Sequence, residues 1–235
     1  MVNSYLSPKK YNMQVQDSPE FVDLTTKPAG YYENNRPEML NYLPENAKVV
    51  LDAGCAVGGF GAAVKEKFNA EVWGLELDVD SSKIASSRLD KVIQGDIAQT
   101  ISQLPENKFD AIVFNDVLEH LVNPYDILTQ LKKNLTSEGV IVCSIPNARY
   151  WRVFKQYVFG KNWKYVEDGV MDKTHLRFFT KRSIYEMFDA LGYKVLETKG
   201  LKPTPSVGFL IFNLLTFGSI QDCKFIQYVF VVKVK

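Results

Sequence analysis

Short apolar, β-branched runs alternate with amphipathic segments along most of the chain. Strands are predicted at 48–53, 71–76, 90–94, 109–115 and 139–145, each apolar enough to be buried on both faces. Helical spacing falls between them, at 58–69, 79–87, 97–103 and 124–135. This βαβα order specifies a parallel sheet with right-handed crossovers and helices on both faces. A further helix at 180–191 leads through Gly192 into a strand at 193–199, and Phe225 to Val234 reads as a last strand.

The alternation has two irregular stretches. Residues 1–47 form a polar lead-in, an N-terminal cap in which Pro37 opens and Pro44 closes a short helix. After Pro146 comes an aromatic and basic insertion, 146–179, with Tyr150, Trp151, Arg152, Phe154, Lys155, Tyr157, Phe159, Lys161, Trp163, Lys164 and Tyr165. An insertion at the C-terminal end of a strand sits where open α/β sheets keep their ligands. Four uses are open for it: stacking on sugar rings, a lid, a homodimer face, or a single-stranded nucleic acid surface, the last disfavoured by the near-zero net charge. The longest apolar run, Val207 to Phe217, is shorter than the roughly 20 residues of a bilayer span. It is expected in a core or interface, with contact to a membrane surface through an apolar helix face as the alternative.

One domain is expected from 235 residues. Lys plus Arg number 28 against 27 for Asp plus Glu, a net charge of +1 that argues against nucleic acid as the main partner. The three cysteines, Cys55, Cys143 and Cys223, are far apart and show no Cys-x-x-Cys or metal-ligand spacing. Reduced thiols in a cytoplasmic protein, and no metal site, are the expectation. Met1 to Lys10 lacks the apolar segment of a secretory signal.

The candidate chemistry gathers at strand ends. Asp52 closes the first strand, and Gly54, Ala56 and Gly58 follow before a helix. Small residues let the backbone approach a ligand, and the helix start offers unpaired N–H groups. Glu76, at the tip of the second strand, suits the two hydroxyls of a ribose. Asp96 after the third strand suits an exocyclic amine, with Ile97 covering a flat ring. Taken alone, Gly54-x-Ala56-x-x-Gly59 approximates a nicotinamide-binding turn as well. No Tyr-x-x-x-Lys pair for hydride transfer stands after the fifth strand.

The order of these motifs, with Phe109 to Leu121 at the fourth strand, resembles the class I S-adenosylmethionine-dependent methyltransferases. The resemblance implies a Rossmann-like, seven-stranded, mostly parallel sheet with an antiparallel last strand next to the fifth. Tyr31-Tyr32, Arg36-Pro37-Glu38, Asp116-Val117-Leu118-Glu119-His120-Leu121, Ser144-Ile145-Pro146-Asn147 and Asp172 to Thr180 are similar to the subgroup associated with surface polysaccharide and lipopolysaccharide biosynthesis, including capsule. It implies Asp52, Gly54 and Gly58 along the methionine portion, Glu76 and Leu77 at the ribose, Asp96 and Ile97 at the adenine, and Asn115 and Asp116 near the sulfonium. Ala56 departs from the glycine usual there.

The implied acceptor is a small molecule: a sugar, a nucleotide sugar or a small phosphorylated glycan precursor. A quinone-type methyltransferase and a noncatalytic partner are the alternatives. A hydroxyl acceptor calls for a general base, and His175, His120 and Asp116 are the candidates, with Asp172 as a substitute. An anionic acceptor calls instead for cations, for which Arg149, Arg152, Lys173 and Arg177 are available.

Overall fold

A computed structural model describes residues 36–235. Tyr31, Tyr32 and most of the expected N-terminal cap lie outside the described residues. The elements run β1 (Val49–Ala53), α1 (Gly59–Phe68), β2 (Glu71–Glu76), α2 (Val79–Ser86), β3 (Lys91–Gln94), α3 (Ile97–Thr100), β4 (Phe109–Asn115) and α4 (Pro124–Gln130). The second half holds β5 (Leu135–Pro146), α5 (Trp151–Val158), α6 (Lys181–Ala190), β6 (Tyr193–Pro203), α7 (Val207–Leu215) and β7 (Phe225–Val234).

The strands form one sheet in the order β3-β2-β1-β4-β5-β7-β6. The first five are parallel, and β7 enters antiparallel between β5 and β6. This is the Rossmann-like, seven-stranded architecture with an antiparallel last strand that the resemblance implied.

Alternate residues feed two cores because helices cover both faces. Leu51, Ile112, Phe114, Ile141, Cys143 and Phe230 enter one, closed by Leu128 of α4 and Ile184 and Phe188 of α6. Val50, Ala111, Val113, Val142 and Val231 enter the other, against Phe60 and Val64 of α1 and Ala85 of α2. Helix starts are locally specified: Asp78 accepts from Ser81 N–H, Asn123 caps α4 ahead of Pro124, and Thr180 and Ser183 form a capping box.

The apolar run at 207–217 does not enter a core as a whole. It forms α7 in the link between β6 and β7, with only Phe209 buried and most of its apolar side chains facing solvent. Among the described residues no helix is long and apolar enough to cross a membrane.

Candidate active site

The turn after β1 is shaped by what surrounds it. Gly54 has φ +81°, and a Cβ there would stand 2.6 Å from Val117 Cγ2, so only glycine can pass the end of the sheet at this point. Ala56 adopts φ +48°, a left-handed conformation that L side chains resist. It is held by the acid at the tip of β2. Glu76 Oε2 accepts the Ala56 N–H at 2.7 Å, and Oε1 accepts the Asp78 N–H at 2.8 Å. Glu76 thus braces the loops after both β1 and β2, and each carboxylate oxygen keeps a further lone pair for a ligand.

A cavity of about 970 Å³ lies along this carboxyl edge of the sheet. Asp52, Gly54, Ala56, Gly59, Glu76, Leu77, Asp96, Ile97 and Asn115 line one part of it. His120, Leu121, Val122, Val170, His175, Leu176 and Ile226 line another.

In the first part some polar atoms are left unsatisfied. Asp52 Oδ2 and both amide atoms of Asn115 are buried without a hydrogen-bond partner among the described residues. Burial, and then the nearby Glu76 charge, push the Asp52 carboxyl up to about 7. Burial likewise raises Glu76 above the usual carboxylate range, against the pull of its two backbone donors. Such groups are costly unless a ligand completes them. S-adenosylmethionine carries an ammonium and a diol that suit these two acids, and Leu77 and Ile97 line the same part of the cavity.

Gly58 and the role of Asp116 as a base are corrected, while Asp96 keeps its expected place and also caps a helix. Gly58 does not line the cavity: with φ +77°, a Cβ there would meet Ala85 Cα at 3.1 Å and Leu89 Cγ at 3.3 Å, so it serves close packing of α1 on α2, and Gly59 lines the cavity instead. Asp96 caps α3, its Oδ1 accepting the Ala98 N–H at 2.7 Å, while still lining the cavity. Asp116, considered as a base, is engaged by the Arg36 guanidinium, by Ser144 Oγ at 3.0 Å and by Gln227 Nε2 at 2.9 Å. A carboxylate so bonded is a poor proton acceptor, and Asp116 acts as a strut for the β4 loop.

The four cations proposed for an anionic acceptor are also elsewhere. Arg149 pairs with Asp222 at 2.7 Å and Lys173 with Glu167 at 2.6 Å, and Arg177 bonds the Leu176 and Val122 carbonyls. None of these, nor Arg152, is among the residues that line the cavity.

In the second part, the insertion returns to the loop after β4. Leu176 and Arg177 donate their N–H groups to the Glu119 carbonyl at 2.9 and 3.0 Å. Asp172 Oδ1 accepts from both Thr174 N–H and Thr174 Oγ1, which makes Asp172 a turn-former. His120 Nδ1 lies 3.2 Å from Thr174 O, and the His120 and His175 rings meet edge-on with centroids 4.7 Å apart. His175 Nδ1 is 3.1 Å from Val170 O. A carbonyl only accepts, so Nδ1 carries the proton in the neutral ring and Nε2 is the acceptor, 3.9 Å from Glu119 Oε1. The ligand-type atoms of Glu119, His120 and His175 all lie within 4.8 Å of one another. Their spacing in the sequence does not bring the three together; the fold of the insertion does.

A doubly covered α/β sheet with a cavity along its carboxyl edge, lined by strand-end acids and a histidine pair, has the layout of a cofactor-dependent enzyme. Residues 27–198 match the family described as methyltransferase domain. The chain belongs to the methyltransferase domain family, of the class I type whose methyl donor is S-adenosylmethionine. A ubiquinone biosynthesis O-methyltransferase of Rickettsia bellii is 27% identical over 188 residues, covering 73% of this chain and 76% of that protein. One of Vibrio atlanticus is 29% identical over 186 residues, covering 72% and 75%. The crystal structure of a SAM-dependent methyltransferase from Archaeoglobus fulgidus shares the fold, with a TM-score of 0.60 at 18% identity over 83% of this chain and 90% of that one.

Proposed function

We propose that the chain methylates the oxygen of an aromatic hydroxyl on a small molecule of the quinone-precursor kind. The observation that carries it is His175, whose Nε2 is the acceptor nitrogen of a ring lining the same cavity as the cofactor cradle. Asp52, Glu76 and Asn115 hold the cofactor, Leu77 and Ile97 cover its ring, and Asp116 is the strut described above. Bound there, S-adenosylmethionine supplies an electrophilic methyl group and leaves as S-adenosylhomocysteine. His175 Nε2 takes the proton that the acceptor hydroxyl loses, and the buried Glu119 carboxylate beside it stabilises the imidazolium that forms. His120 orients the pair.

The choice of acceptor follows from matching acid to base. A phenol is a stronger acid than a sugar hydroxyl, so proton transfer from it to a histidine is less uphill. The apolar walls Leu121, Val122, Val170, Leu176 and Ile226 suit an aromatic ring. The two curated relatives are named for O-methylation in ubiquinone biosynthesis, which supports the same class. A nucleotide sugar or phosphorylated glycan precursor has less support. Among the described residues the cavity's Lys and Arg side chains are Lys202 and Arg36, and Arg36 is spent on Asp116 and Glu38. Three free, buried cysteines support a reducing compartment such as the cytoplasm.

The test is S-adenosylhomocysteine release by the full chain with catechol-type phenols, nucleotide sugars and primary amines in parallel. Turnover on phenols above the other two classes is expected. Preferential turnover on sugars or amines overturns the assignment.

A further inference from the structure

The outer face of α7 is apolar and open. Val207, Leu210, Ile211, Leu214 and Leu215 are each more than half exposed, and Phe217 is fully exposed. The inner face is already occupied: Trp151 packs on Phe209 and Phe212 at 5.8 and 5.7 Å between ring centroids, and Phe159 meets Phe212 at 5.7 Å. Helix α7 is therefore pinned to α5 and presents its other side. A contiguous apolar crest of this kind on a folded chain marks an interaction surface.

The charge around the crest selects the partner. From Arg149 to Val166 the chain has five basic residues and no acid, and from Thr198 to Ile220 it has Lys199, Lys202 and no acid. Arg152, Lys155, Lys161, Lys164, Lys199 and Lys202 are all exposed. Asp222 offsets Arg149, and Glu167, Asp168 and Glu197 border the two stretches, but the remaining cations within them have no acid between them. An apolar helix face whose flanking and packing segments carry exposed Lys and Arg fits a surface that is apolar inside and anionic at its boundary.

We propose that α7 seats the protein on an anionic lipid bilayer, with the crest in the acyl boundary and the basic rim at the headgroup phosphates. Docking is peripheral. It also faces the acceptor side of the cavity toward lipid. Lys202 lines the cavity five residues before α7 begins, and Val170 and Ile226 both line it and pack with Val153 of α5. An apolar acceptor dissolved in the bilayer then has the shorter route into the site. The docking itself goes beyond the proposed chemistry, whereas the route for an apolar acceptor rests on it.

The test is co-sedimentation of the full chain with vesicles of phosphatidylglycerol and phosphatidylcholine in equal parts, and of phosphatidylcholine alone. Binding to the anionic vesicles, weakened at high salt, is expected. The exposed double variant Leu210→Ser/Leu214→Ser should lose it by about tenfold or more while keeping native S-adenosylmethionine affinity and thermal unfolding. Lys161→Glu/Lys164→Glu should lose it mainly on anionic vesicles. No partition, partition indifferent to both variants, or a dimer in light scattering that the leucine variant dissolves and that does not bind vesicles overturns the proposal.

Discussion

Replacing Asp52 by Asn separates what this acid does for the fold from what it does for the ligand. Its carboxyl is buried at the end of β1, beside Glu76, and titrates at about 7 instead of 3.8. Between these values the folded chain holds a proton that the unfolded chain has released, so folding stability falls as pH rises from about 4 to 7 and levels off above that. The difference corresponds to about 4 kcal/mol at full ionisation. Asn is close in shape to the protonated acid and never ionises. Allowing for an amide that is itself poorly partnered, Asp52→Asn should stabilise the ligand-free protein at pH 8 by about 2 kcal/mol, or about 5 °C in Tm. At pH 4 the two proteins should unfold nearly together. S-adenosylmethionine affinity should fall roughly ten- to a hundredfold, because a charge-assisted bond to the ligand ammonium is lost. Thermal unfolding at both pH values, with calorimetric titration, reads all three. A variant that is less stable at pH 8, or that binds the cofactor like the native chain, would refute the reasoning.

Other outcomes follow from the same geometry. Ala56→Gly relieves a left-handed alanine while keeping its N–H on Glu76, and should raise stability by about 1 kcal/mol with cofactor affinity unchanged; a lower Tm would contradict this. His175→Gln should lower kcat by about a hundredfold or more with little change in cofactor Kd, and the residual rate should rise with pH as the acceptor ionises unaided. An unchanged pH profile would remove His175 from proton transfer. Because Glu119, His120 and His175 are assigned here to proton transfer, activity should survive exhaustive dialysis against a chelator. Loss of activity that a single divalent cation restores would reassign the trio as a metal site.

The sheet was legible because burial on both faces leaves an unbroken apolar run for each central strand. Val50 and Leu51, or Val113 and Phe114, enter different cores, and neither position tolerates a polar residue. The start of β5 was not legible: Thr136, Ser137 and Glu138 extend it through backbone geometry alone and carry no apolar signal. The turn, Glu76 and Asn115 were readable as strand-end residues, whereas Gly58 was misplaced because a glycine needed for a ligand and one needed for helix packing look alike in sequence. The bracing of Asp116 depends on Arg36, Ser144 and Gln227, the last 111 positions away, and no local pattern links them. Glu119 was given no role of its own, since only the returning insertion brings His175 to it. Composition left α7 open between core, interface and membrane surface, because it cannot say which face of an apolar helix meets protein.

The most direct measurement is calorimetric titration of S-adenosylmethionine into the native chain and into Glu76→Ala. Glu76 braces the backbone at Ala56 and Asp78 and is the residue proposed to accept the ligand diol. Native binding at one site per chain with micromolar affinity is predicted, together with a loss of about a hundredfold or more in the variant, from two charged hydrogen bonds. Circular dichroism confirms that the variant stays folded. Native-like affinity in a folded Glu76→Ala, or no binding by the native chain, would contradict the account.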